Sequence, residues 1–147
     1  MNEEIKNRFS ISTDKSKLDI PMIYSFLNSS YWAENISKAI VEKSIKNSLC
    51  FGIYQGDKQV GFAKVISDYA TSALLRDVFI LEYYRGQGLG KWLINYILEY
   101  PELQDVQKWL LGTKDAHGLY RRYGFQSLPE PETIMVRLNL ALNQPDA

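Results

Sequence analysis

The stretch Ile80-Leu81-Glu82-Tyr83-Tyr84-Arg85-Gly86-Gln87-Gly88-Leu89-Gly90-Lys91-Trp92 constrains this chain more than any other: an apolar run turns through alternate glycines straight into a helical pattern. Leu89, Leu93 and Ile97 recur at helical spacing and Pro101 stops the pattern, so a strand over 73–81 is expected to feed a helix over 88–100. Glycines let the backbone approach a ligand closely, and the N–H groups at a helix start attract anions together with the positive end of the helix dipole. The loop therefore reads as a holder of phosphate. A nucleotide P-loop would need glycine where Arg85 stands and Ser or Thr where Trp92 stands, and a dinucleotide fingerprint would need glycine in place of Lys91. Both are excluded. Phosphoryl transfer also lacks a second acidic motif to hold magnesium.

The rest of the chain supplies a sheet and its cover. Residues 8–12 alternate apolar and polar as a first strand; Asp19 caps a helix through Asn28, and a second helix is expected over about 32–46. Strands over 49–54 and 59–66 flank Gln55-Gly56-Asp57-Lys58, a hairpin signal. A short strand at 109–111, a helix over 115–123 ended by Gly124, and a last strand over 134–138 complete the series. The fold class this predicts is α+β or mixed α/β, a central mixed, mostly antiparallel sheet flanked by helices. With 147 residues, one domain over 1–140 and a flexible tail over 141–147 are expected. Seventeen basic and seventeen acidic side chains cancel, which speaks against nucleic acid as the main partner. The lone Cys50 lies in an apolar strand and reads as a small core hydrophobe. No apolar leader or membrane-length run is present, so a cytoplasmic protein without membrane contact is expected.

Arg85-x-x-Gly88-x-Gly90 after a strand resembles the acyl-CoA pyrophosphate motif of the GNAT superfamily of N-acetyltransferases. A second segment, Ala116-His117-Gly118-Leu119-Tyr120-Arg121-Arg122-Tyr123-Gly124-Phe125, is similar to that family's helix followed by Gly-Phe, and the element order fits along nearly the whole chain. The resemblance implies the GNAT fold, acetyl-CoA as cosubstrate, no metal, and transfer of an acetyl group to a primary amine by direct attack in a ternary complex. It implies that Arg85, Gly86, Gln87, Gly88, Leu89, Gly90 and Lys91 hold the pyrophosphate. Backbone groups near Phe79, Ile80 and Leu81 would bind the pantetheine arm and polarise the thioester carbonyl. Where many members carry Asn, this chain has Thr113, which would make a similar polar contact.

Tyr120 would protonate the departing thiolate, because thiol and tyrosine pKa values of about 8.5 and about 10 permit transfer. For the general base the resemblance points to Asp77, with Glu82, Asp68, His117 and a water chain as alternatives. The acceptor would meet Tyr31, Trp32, Asp68 and Tyr69 and a final hairpin around 129–133; exposed aromatics and an acidic loop suit a cationic amine with an apolar body. The expected partner is a small-molecule or peptide amine, and the expected assembly a monomer or homodimer. A non-catalytic acyl-CoA-binding sensor or partner module is the alternative.

Overall fold

Alternating β-branched and aromatic residues in the middle of the chain build a sheet with two apolar faces, and short amphipathic helices before and after it supply the cover. The computed structural model describes residues 3–139. Its elements run α1 (Glu3–Arg8), β1 (Ser10–Ser12), α2 (Ile20–Asn28), α3 (Lys38–Lys46), β2 (Leu49–Gln55), β3 (Lys58–Ser67), β4 (Ser72–Ile80), α4 (Leu89–Leu98), β5 (Lys108–Leu111) and α5 (His117–Arg121). The five strands lie in the order β1-β2-β3-β4-β5. Pairing is antiparallel from β1 to β4, and β4 and β5, joined through α4, are parallel. The mixed, mostly antiparallel sheet expected from the sequence is therefore present. Gly56 carries the β2–β3 hairpin with φ 59°, a conformation that glycine adopts without strain.

The two faces bury separate cores. Phe51, Ile53, Val60, Val65 and Leu75 meet Leu89, Trp92, Leu93, Ile94 and Ile97 of α4, together with Ile5 of α1 and Tyr120 of α5. On the other face Cys50, Phe62 and Phe79 pack against Ile23 and Leu27 of α2 and Val41 and Ile45 of α3. Cys50 is a buried free thiol, and burial pushes its pKa up to about 11, so it stays protonated and packs as a hydrophobe. Among the described residues no helix is long and apolar enough to cross a membrane.

The structure corrects the expected elements at three places. Residues 3–8 form α1, with Glu3 and Glu4 at its positive end and Ile5 buried, so the first strand starts only at Ser10. The second helix begins at Lys38 because the Ser37 side chain caps it by accepting from the Ile40 N–H; Trp32 to Ile36 stay outside it. The last strand does not form: a 3-10 turn at Pro131–Thr133 leads into residues 134–139, which have no regular structure and expose Ile134, Met135, Val136 and Leu138. Alternation specifies a strand only where an edge pairs with it. The tail expected over 141–147 lies outside the described residues.

Candidate functional site

The site is built where β4 and β5 part. Their pairing runs from Ser72↔Lys108 to Leu75↔Leu111 and then ends, while β4 continues to Ile80 along β3. Between Phe62 and Lys64 of β3 the partners on β4 step from Phe79 to Arg76, so β4 carries one extra residue. Asp77 lies in that bulge with φ 54°, a left-handed conformation rare for a non-glycine residue. The bulge and the end of β5 leave the backbone of 77–80 without a strand partner on the β5 side. Phe79 turns its ring into the core, stacked on Phe26 at 3.9 Å, so only its backbone is offered to a ligand.

The glycine loop stands at the outer end of this gap. Gly86 and Gly88 take φ values of 83° and 93°, which no side chain would tolerate easily, and a Cβ at Gly88 would also approach Ile5 at 3.3 Å. At Gly86 and Gly90 a Cβ would meet nothing within 4 Å, so the backbone lies open to a group as large as a phosphate. Gly88 is the N-cap of the ten-residue α4 and places no side chain over the first turn. Arg85 donates from Nε to the Ile80 carbonyl at 2.9 Å, which holds its exposed guanidinium along the loop, and Gln87 ties back to the Tyr84 carbonyl at 3.1 Å. Leu89 is buried while Lys91 is exposed on the first turn. Open backbone, dipole and guanidinium together fit a pyrophosphate.

Tyr120 occupies the inner end. The residue is 8% exposed, its ring meets Phe125 edge-on at 5.8 Å, and it lines a cavity of about 740 Å³ that runs along β5 to Thr113 and the segment 123–129, with no β4 residue in its wall. Residues 85–90 lie outside that cavity, and Arg85, Gly86 and Gly88 are exposed at the surface. Burial, with Tyr31 as a further cause, raises the Tyr120 pKa above its ordinary value, so the phenol keeps its proton at neutral pH. Thr113 accepts from the Ala116 N–H at 3.0 Å and thereby shapes the turn into α5, leaving its hydroxyl proton to donate elsewhere. Tyr123 donates to the Lys91 carbonyl at 3.1 Å, which ties α5 to the helix of the glycine loop.

Across the gap lies the loop between α2 and α3. Trp32 Nε1–H donates to Asp77 Oδ1 at 2.9 Å, and Lys64 Nζ lies 2.8 Å from Asp77 Oδ2 with both charged side chains nearly sealed from solvent, at 9% and 5% exposure. Lys64 also donates to the Ser44 hydroxyl of α3. Tyr31, edge-on to Trp32, accepts from the Lys114 N–H at 3.3 Å, and the Lys114 ammonium sits 5.4 Å above its ring. Tyr31, Trp32 and Asp77 thus form one chain of contacts, and Tyr31 lies near enough to Tyr120 to help raise its pKa. Lys64 and Lys114 were not singled out by the sequence, because lysines in a strand and in a turn carry no local signal of what they face.

Two expected acceptor residues are not brought there. Asp68 and Tyr69 sit in the β3–β4 turn at the opposite end of β4, where Tyr69 faces Glu102 and Tyr100. Asp68 spends its carboxylate on that turn, accepting from the Thr71 hydroxyl and from the N–H groups of Ala70, Thr71 and Ser72, and these bonds hold its pKa well below the usual carboxylate range. A carboxylate so engaged is a poor proton acceptor. His117 and Glu82 are exposed on their helical turns. The segment at 129–133 holds the 3-10 turn instead of a hairpin.

The sequence model of the acetyltransferase (GNAT) domain matches residues 46–127. A protein from Xanthomonas campestris pv. campestris, assigned to the GNAT family, superposes with a TM-score of 0.86 at 46% identity, covering 88% of this chain and 92% of that one. A Gibberella zeae protein classed among acetyltransferases is 27% identical over 107 residues, 59% of this chain, and this chain spans only 60% of its length. A Clostridium acetobutylicum protein solved with acetyl-CoA shares the fold, with a TM-score of 0.66 at 14% identity over 90% of this chain and 97% of its own.

Proposed function

The chain belongs to the GNAT acetyltransferase family, and from that premise we propose that it moves the acetyl group of acetyl-CoA to a primary amine by direct attack in a ternary complex. The observation that carries this reading is the gap between β4 and β5, with an open glycine loop following β4 and the largely buried Tyr120 beyond the end of β5. Acetyl-CoA supplies an acyl group activated by a thiol leaving group. Arg85 and the backbone from Gly86 to Lys91 bind its pyrophosphate, and the backbone near Phe79, Ile80 and Leu81, which has β3 on one side and no strand on the other, binds the pantetheine amides and orients the thioester carbonyl. Thr113 adds a polar contact beside the sulfur.

As the nitrogen attacks and the carbon–sulfur bond breaks, Tyr120 gives its phenolic proton to the thiolate. Its raised pKa supports this, since the donor is fully protonated at working pH. Tyr31 and Trp32 form the acceptor wall, and apolar rings on that side suit an amine with an apolar body. The proton lost by the attacking amine passes to water, and Asp77, the carboxylate bonded to the acceptor wall, has the different part argued below.

Incubation with acetyl-CoA and a panel of polyamines, amino acids, peptides and aminoglycosides, with free thiol and acetylated product both measured, tests the proposal. Amine-dependent thiol release with matching product is the expected result. Acetyl-CoA binding with no amine-dependent release across the panel would favour the sensor or partner-module reading instead.

A further inference from the structure

We infer that the buried Lys64–Asp77 pair is a positioning device that hangs the acceptor wall across the gap between β4 and β5, so that Asp77 orients the acceptor and does not take its proton. The inference rests on the acetyl-transfer reading above for its reaction, and on the following geometry for itself.

Both oxygens of the Asp77 carboxylate are committed, Oδ1 to the Trp32 indole at 2.9 Å and Oδ2 to the Lys64 ammonium at 2.8 Å. Taking up a proton there would leave Lys64 a buried ammonium without its counter-ion, which a protein interior tolerates poorly. The groups around the pair offer no substitute charge. β2 contributes the neutral Cys50 thiol, α3 the Ser44 hydroxyl, the α2–α3 loop the Tyr31 and Trp32 rings, and β4 itself the exposed Arg76. Asp77 also keeps a left-handed backbone, φ 54°, inside a strand. Such a conformation persists only where the surroundings over-determine it, and the ion pair and the indole supply that hold.

The consequence reaches beyond the pair. Trp32 is fixed to β4 through Asp77, and its neighbour Tyr31 is fixed to the turn before α5 through Lys114. Two adjacent aromatics are therefore pinned one to each side of the parted strands. An acceptor that reaches the thioester from this side must pass the two rings, and their placement depends on a post, Lys64, that lies behind them and touches no substrate. Ser44 in turn anchors Lys64 to α3.

The test combines the variants Asp77→Asn, Lys64→Met, the double Lys64→Met/Asp77→Asn, and Trp32→Phe. The indole N–H resonance of Trp32 in nitrogen-15 spectra reports the clasp without any need for turnover. The amine found by the thiol assay then gives kcat, KM and the pH profile of kcat/KM. The expected outcome is that Lys64→Met moves the Trp32 indole resonance, and that Asp77→Asn keeps kcat within about tenfold of wild type with the acid limb of the profile unmoved. The double variant recovers activity above Lys64→Met alone, and Trp32→Phe raises the amine KM more than it lowers kcat. A loss of about a hundredfold or more in Asp77→Asn, together with loss of the acid limb and a double variant no better, would overturn the inference and make Asp77 the base. An indole resonance indifferent to both Lys64→Met and Asp77→Asn would overturn it as well. If Lys64→Met fails to fold, Asp77→Asn and Trp32→Phe still decide. If wild type releases no thiol with any amine, the acetyl-transfer reading falls and the indole resonance alone decides whether the clasp exists.

Discussion

The role proposed for Tyr120 rests on what its surroundings do to the phenol. A phenol left in water has a pKa near 10, and burial raises that of Tyr120, so the protonated form needed by a donor persists through the whole physiological range. The sign follows directly: the donor is present below its folded-state pKa and lost as pH rises through it, so the Tyr120-dependent step should be flat from neutral pH to about pH 10. Replacing it with phenylalanine keeps the edge-on contact with Phe125 and removes only the proton. Tyr120→Phe is expected to lower kcat by about a hundredfold to ten-thousandfold while acetyl-CoA affinity hardly moves, as single-turnover rates and calorimetry would reveal. A loss of less than about threefold would return the tyrosine to packing. This residue and the glycines were legible in the sequence because a short motif fixes them. Lys64 was not, since its partner Asp77 comes from another strand and meets it only because a bulge re-aims the backbone.

At the scale of elements, what could be read was what is locally encoded. Asp19 caps α2 by accepting from the Met22 N–H, and its own N–H is taken by Gln59 Oε1 of β3 at 2.7 Å, so the cap also docks the helix that carries the acceptor loop. Asp19→Ala should cost about 1 kcal/mol in urea unfolding, with no effect on acetyl-CoA binding, because the cap bond is lost far from the glycine loop. The β2–β3 hairpin, the strand entering the glycine loop and α4 were likewise legible from turn residues and periodicity. Two misreadings have a common cause. The α3 start and the last strand were both judged from apolar spacing, yet Trp32 turns to a hydrogen bond with Asp77 and residues 134–138 find no edge to pair with. Asp68 illustrates a related limit of local reading: an acidic residue in a polar turn looks available, whereas here its carboxylate bonds to the turn itself.

For the whole molecule, the sheet divides the labour between its faces. The core under α4 and α5 includes Leu89, Leu93 and Tyr120 and backs the proposed cofactor side, and the core under α2 and α3 includes Phe79 and lies beside the Lys64–Asp77 pair of the proposed acceptor side. The gap between β4 and β5 lies between the two sides, and it opens because β5 stops at Leu111 while β4 runs on to Ile80. We propose that this gap, entered past the glycine loop, holds acetyl-CoA. Titration of acetyl-CoA by calorimetry into the wild-type protein and into Gly88→Val, with circular dichroism to show that the variant is folded, tests it most directly. Gly88 adopts φ 93° and a side chain there would press on Ile5, so valine should distort the loop and abolish measurable binding that the wild type displays. Undiminished affinity in folded Gly88→Val, or no binding by the wild type, would contradict the account.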